Sequence, residues 1–322
     1  MSQIRVTRRQ LVAGAGLALV SARFGPWDRS AGGQEDLPPG RIAFVRHGDV
    51  WVWQGGDAAR LIADGAASDP AWSPDASMLL YVHTGNSYSD LMLYELATGT
   101  SIALTHNQSD AQEGSEEYVL TSNWVLDPDW SASGLIGFIS DATIDGSLIL
   151  WIMASPYGVP EPAASAQTED HIEALSLSID GTLAAYTART TGDNGLKHTY
   201  VALRDLSDGV AYVLYDEATG VFDPAIAPDS QRVAVAMRSE QGISDIWLVA
   251  RADSSTIRVT DGAQAVKPFW SPDGRWLGYL RAVENHFEAW CVPVDGTRIG
   301  EPRRLFRYQN LDGTSRPSWT FS

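Results

Sequence analysis

The sequence predicts an all-β chain: a six-bladed β-propeller of four-stranded blades, with the ring closed by the C-terminal strand joining the N-terminal blade. Three observations predict it. One short phrase with an apolar centre recurs six times at blade spacing. A second, strand-like phrase recurs in phase with it. The repeats open without a first strand and end on a lone one. Internal repetition at this period marks blades that stack around a channel.

The first phrase reads Pro70-Ala71-Trp72-Ser73-Pro74-Asp75 and returns as Pro268-Phe269-Trp270-Ser271-Pro272-Asp273-Gly274. Weaker copies surround Trp130, Leu177, Ile226 and Trp319. The centres at 72, 130, 177, 226, 270 and 319 lie 58, 47, 49, 44 and 49 residues apart. A four-stranded blade takes roughly 40–50 residues. Each apolar centre is expected on a strand, packed between blades. The leading proline suits the start of a strand, where no ladder donor is lost. Ser-Pro-Asp-Gly makes a tight turn, with aspartate bonding back to the backbone and glycine taking the left-handed position. A run rich in β-branched and aromatic residues follows, as at residues 78–82 and 276–280.

The second phrase supplies the third strand. It reads Asp49-Val50-Trp51-Val52, Asp90-Leu91-Met92-Leu93, Ser147-Leu148-Ile149-Leu150, His198-Thr199-Tyr200-Val201, Asp245-Ile246-Trp247-Leu248 and Glu288-Ala289-Trp290-Cys291. Six copies of each phrase mean six blades. Residues 41–63 hold strands two, three and four of a blade but no first strand. The phrase around Trp319 is a first strand with nothing after it. The two ends therefore complete one blade and leave no unpaired edge at the seam.

Ahead of the repeats, Thr7-Arg8-Arg9-Gln10-Leu11 leads into an apolar run ending at Val20-Ser21-Ala22. A charged start, a short apolar stretch and small residues read as an export signal over residues 1–22, of the twin-arginine kind. Residues 23–40, rich in Gly, Pro, Ser and charge, read as a flexible linker to the propeller of residues 41–322. The apolar run is about half of a bilayer span, so no stable transmembrane span is expected after cleavage. The expected location is the periplasm, envelope or outside of a prokaryote. The net charge of −17 excludes a phosphate-backbone binder, and the one cysteine, Cys291, excludes a disulfide framework.

The Trp-Ser-Pro-Asp-Gly phrase followed by an Asp-Ile-Trp strand resembles the repeats of TolB-type six-bladed propellers. The resemblance covers residues 41–322 and not the α/β domain that precedes the propeller in TolB. It implies the fold and leaves function open, because such propellers serve as exported scaffolds, as halves of peptidases and as polysaccharide lyases.

In such blades the loops joining strands two and three share a face, here the upper face, with the loops joining one blade to the next. Residues 61–188 contain eighteen acids and no Lys or Arg, a field that favours basic partners. The connection of residues 106–127 is far longer than the others, and long loops in compact domains are commonly functional. It carries Glu116, Glu117, Tyr118 and Trp124, the aromatics having no counterpart in the repeat. Asp69, Asp127 and Asp223 precede the recurrent proline and belong near the channel mouth, with Lys267 and Arg316 opposite. That ring could hold a peptide terminus or an ion, or pair internally. His47, His83, His106, His171 and His286 fall in upper-face loops, and His198 is expected elsewhere.

The expectation is an exported, non-catalytic propeller binding a protein or peptide partner, basic in character, through this face, with no cofactor. No nucleophile elbow or phosphate loop is present. The alternative is a metal-assisted carbohydrate-active propeller, similar to oligogalacturonate lyases, with His83, His106, His171 and His286 on a divalent metal, or a glycan-binding module.

Overall fold

The computed structural model describes residues 38–321 except 144, 164–170, 192–196, 218 and 307–309. Two compact units divide the chain, Met1–Gly33 and Gln34–Ser322, and every described residue belongs to the second. The export signal and most of the linker therefore lie outside the described residues.

Six antiparallel blades form, as the repeat predicts. Blade one holds β1 (Arg41–Arg46), β2 (Asp49–Trp53), β3 (Ala58–Ile62) and, from the far end of the chain, β25 (Ser318–Thr320). Blade two is β4 (Ala67–Trp72), β5 (Met78–Thr84), β6 (Ser89–Glu95) and β7 (Thr100–Ala103). Blade three is β8 (Val125–Trp130), β9 (Ile136–Ser140), β10 (Ile149–Met153) and β11 (Glu161–Pro162). Blade four is β12 (Ile172–Leu177), β13 (Leu183–Thr191), β14 (Lys197–Asp205) and β15 (Ala211–Asp216). Blade five is β16 (Val221–Ile226), β17 (Arg232–Arg238), β18 (Ser244–Ala250) and β19 (Thr256–Arg258). Blade six is β20 (Ala265–Trp270), β21 (Trp276–Val283) and β22 (His286–Asp295), with an outer edge split between β23 (Arg298–Ile299) and β24 (Arg303–Arg304). That split departs from four plain strands. Pro302 lies between the two pieces and has no N–H for the ladder.

The seam closes as the ends of the sequence require. Ile42 pairs with Trp319 and Arg41 with Thr320. The Trp319 indole also donates to the Pro39 carbonyl at 3.0 Å.

The turns carry the chemistry read from the phrase. Ser271 Oγ donates to Asp273 Oδ1 at 2.6 Å and accepts from Trp276 N–H at 2.9 Å. Blade two repeats this with Ser73, Asp75 and Met78, and blade four with Ser178, Asp180 and Leu183. Hydrogen bonds, led by the serine hydroxyl, hold the Asp75 and Asp180 carboxyls below the ordinary carboxylate range. Gly274 takes φ +68°, a conformation costly for a residue with a Cβ.

The core is six small cores, one between each pair of neighbouring blades. Side chains alternate along a strand, so each blade feeds both neighbours. Leu79 and Tyr81 of β5 pack toward blade one, whereas Leu80 and Val82 pack toward blade three. Trp72, Leu177, Ile226, Trp270 and Trp319 are buried in these interfaces and Trp130 is half-buried.

One short helix, α1 (Glu116–Thr121), stands in the long connection between blades two and three. Ser115 caps it, its side chain accepting from Tyr118 N–H at 3.1 Å, and Glu116 and Glu117 sit favourably in its first turn.

Candidate functional site: the upper face and channel mouth

The inner strands of blades two to six each carry a bulge near the upper end. At each bulge one residue adopts a left-handed backbone: Asp69 (φ +47°), Asp127 (+43°), Ala174 (+51°), Asp223 (+53°) and Lys267 (+50°). Such backbones cost on the order of 1 kcal/mol or more each, and bulges re-aim side chains. Here they turn one side chain per blade toward the channel. Arg316, just before Pro317, completes the ring from blade one.

The sequence places Lys267 and Arg316 opposite the three aspartates, and the structure brings all five together, paired internally. Lys267 Nζ lies 3.0 Å from Asp223 and 3.9 Å from Asp127. The Asp223 carboxylate also accepts from Lys267 N–H at 3.2 Å. Arg316 reaches across the channel: its guanidinium donates to the carbonyls of Leu175 at 2.5 Å and Pro224 at 3.1 Å. Its own N–H donates to Asp69 Oδ1 at 3.2 Å, and Asp69 N–H donates to Ser315 Oγ at 2.8 Å.

This packing sets the protonation of the ring. Burial, reinforced by the Asp127 charge, pushes the Asp69 carboxyl up to about 7 against the pull of Lys267. Burial alone would lower Lys267, but Asp223, Asp127 and Asp69 outweigh it and hold the ammonium above its ordinary value.

Two cavities lie along the channel, and Arg316 lines only the lower one. The lower one, about 180 Å³, is lined by the repeat anchors, among them Trp72, Trp130, Leu177, Ile226, Trp270 and Trp319. The upper one, about 530 Å³, opens between blades four and five beside Ala174, the ring position without a charge. Asp127, Asp223 and Lys267 line it with Arg189, His198 and Arg238.

The histidines do not converge. His83 Nδ1 is 2.8 Å from Asp64, and His286 Nε2 is 3.7 Å from Glu288. Both stand at the upper ends of strands rather than in loops. His106 and His171 are exposed, the first after β7 and the second before β12. Among the described residues no three His, Cys, Asp or Glu are grouped as metal ligands. His198 stands in a strand, as its phrase predicts. It is second in β14, whose nine residues reach the upper end, and it lies 3.3 Å from Asp216 in the wall of the upper cavity.

The long connection folds on itself. Asn123 N–H donates to the Asn107 carbonyl at 3.0 Å, so its ends meet. Asn107 and Glu113 tie it to the β5–β6 hairpin of blade two through Ser89 and Asn86. None of its described residues 106–124 lines either channel cavity. Tyr118 is buried within the loop, and its hydroxyl accepts from Gln108 at 3.2 Å. Exposure passes instead to Val119 (55%) and Leu120 (74%), beside the exposed Glu116 and Glu117. Trp124 is half-buried, and its backbone N–H donates to Asp141 at 2.6 Å.

TolB from Acinetobacter baumannii superposes with a TM-score of 0.66 at 17% identity, covering 88% of this chain and 68% of that one. The fold is the TolB-type propeller. A putative TolB from Agrobacterium tumefaciens gives 0.64 at 18% identity, covering 86% of this chain and 93% of that one. No family model matches the sequence. Over 106 residues, 31% of the chain, it is 31% identical to a Bacillus subtilis (strain 168) protein described as uncharacterized peptidase YuxL. It covers only 16% of that relative.

Proposed function

We propose that this chain is an exported, non-catalytic propeller that binds a protein partner through its upper face. The observation that carries this reading is the apolar pair Val119 and Leu120, held out by a capped helix on a loop with its own buried tyrosine. Blade packing does not require this loop, and none of its described residues lines the channel. A large apolar pair on a rim of carboxylates suits a partner that offers apolar contact within a basic surround. The absence of Lys and Arg from residues 61–188 extends that acidic field over blades two and three. The ring cations are committed to internal pairs, which favours docking on the rim rather than in the channel. Among the described residues no helix is long and apolar enough to cross a membrane.

The test is capture from an envelope extract of the source organism, with the full chain as bait. The control bait replaces residues 108–122 by a short Gly-Ser turn, which Asn107 and Asn123 can close. The reading predicts a protein retained by the first bait and lost with the second. Retention by both baits, or cleavage of a glycan by the purified chain, overturns it.

A further inference from the structure

Blade four departs from the repeat at two positions, and both departures face the upper cavity. The first is Ala174. Every other blade places Asp, Lys or Arg at this ring position, so blade four leaves a gap in the charged wall. The second is Thr187. It pairs with Glu173 just before the bulge. The equivalent partners in blades two, three, five and six are Val82, Ile139, Ala236 and Leu280, all apolar. Thr187 is 1% exposed, and among the described residues its hydroxyl has no hydrogen-bond partner. A buried hydroxyl left unpaired is costly, and a fold that substitutes one for an apolar residue needs a compensating partner. Thr187 lines the cavity, so that partner can come from the cavity.

The charges around the cavity show what the partner carries. Three cations, Arg189, Arg238 and Lys267, face three carboxylates, Glu173, Asp127 and Asp223. Arg189 is ion-paired with Glu173, and Lys267 with Asp223 at 3.0 Å. Two groups remain under-matched. Arg238 lies over the Phe222 ring at 5.4 Å and has no acidic partner among the described residues. Among the described residues Asp127 has only Lys267, at 3.9 Å. One spare cation and one spare anion around an orphan hydroxyl match a ligand with one carboxylate and one ammonium.

We infer that the cavity between blades four and five is a binding site for a small zwitterion, a free amino acid or dipeptide. Arg238 takes the carboxylate, Asp127 the ammonium, and Thr187 a polar atom between them. The volume of about 530 Å³ admits a dipeptide and its water. Most of the lining comes from blades four and five, with Asp127 from blade three and Lys267 from blade six, and none of it from the α1 surface of the connection between blades two and three.

The test is calorimetric titration of the full chain with the standard amino acids and Ala-Ala. N-acetyl-Ala-Ala and Ala-Ala amide serve as blocked probes. The expected result is binding of a free zwitterion, weakened about tenfold or more by either block. Arg238→Met should weaken the free form and lose discrimination against the amide. Thr187→Val, which installs the side chain blade two uses, should weaken binding about tenfold without lowering the melting temperature. No binding of any zwitterion at 10 mM, equal binding of blocked and free probes, or unchanged binding by Arg238→Met would each overturn the inference. Binding of galacturonate in preference to every zwitterion would overturn it too.

Discussion

Replacing Asp69 by Asn should stabilise the protein in a pH-dependent way. Asp69 sits in the channel wall among Asp127, Lys267 and Arg316, and its carboxyl is pushed up to about 7. In the unfolded chain the same group titrates near 3.9. Below about pH 4 both states are protonated and Asp69 contributes no pH dependence. Between about pH 4 and 7 the unfolded chain releases the proton while the native chain keeps it, so stability falls as pH rises. Above about pH 7 the whole cost is present. A shift of about three units at about 1.4 kcal/mol each sets a ceiling of about 4 kcal/mol. The effective dielectric of protein sites, nearer about 20 than that of a dry interior, reduces this to about 2 kcal/mol. Asn removes the titration, and its amide oxygen still accepts from Arg316 N–H. Urea unfolding at a series of pH values measures the difference between variant and parent. It should be near zero at pH 4 and about 2 kcal/mol in favour of Asn at pH 8. A difference that stays constant across this range, or that favours the parent at pH 8, would refute the electrostatic account of the ring.

Three further outcomes follow from the same geometry. Trp319→Ala removes the side chain that closes the ring between blades one and six and should cost about 3–5 kcal/mol in urea unfolding. Lys267→Met leaves Asp223 and Asp127 without their cation and should cost about 3–5 kcal/mol, with Asp223→Asn restoring part of the loss in a double-mutant cycle. Tyr118→Ala empties the small core of the long connection. Limited proteolysis should then cut within residues 107–123, while the global transition moves by less than about 1 kcal/mol.

The blades, the turns and the seam were legible because the recurrent phrase carries local chemistry that needs no tertiary partner. Ser271, Asp273 and Gly274 build their turn from their own side chains and backbone. The bulges were not legible. Aspartate tolerates a left-handed backbone, but Lys267 and Ala174 give no such signal, and the conformation is imposed by the ring. The direction of Arg316 was also hidden: its place in the repeat is visible, its reach across the channel to Leu175 and Pro224 is not. The cap of α1 was readable in Ser115, Glu116 and Glu117, yet six helical residues in a polar loop make a weak pattern. Tyr118 has no counterpart in the repeat, which leaves both a partner contact and a self-enclosed loop open, and the loop encloses it in a core of its own. His198 was legible as a strand residue, but its place in the cavity wall was not, because β13 and β14 run to nine residues and lift it to the upper end. Thr187 could have been found by aligning second strands, where one hydroxyl stands among apolar residues.

The most direct test of the upper-face account is site-specific photo-crosslinking in the native envelope. A benzoylphenylalanine is placed at Leu120 on α1 in one protein and at Val213 on the outer edge of blade four in another, both exposed positions. The account predicts a discrete protein adduct from position 120 and none from position 213. No adduct at 120, or the same adducts from both positions, would contradict it.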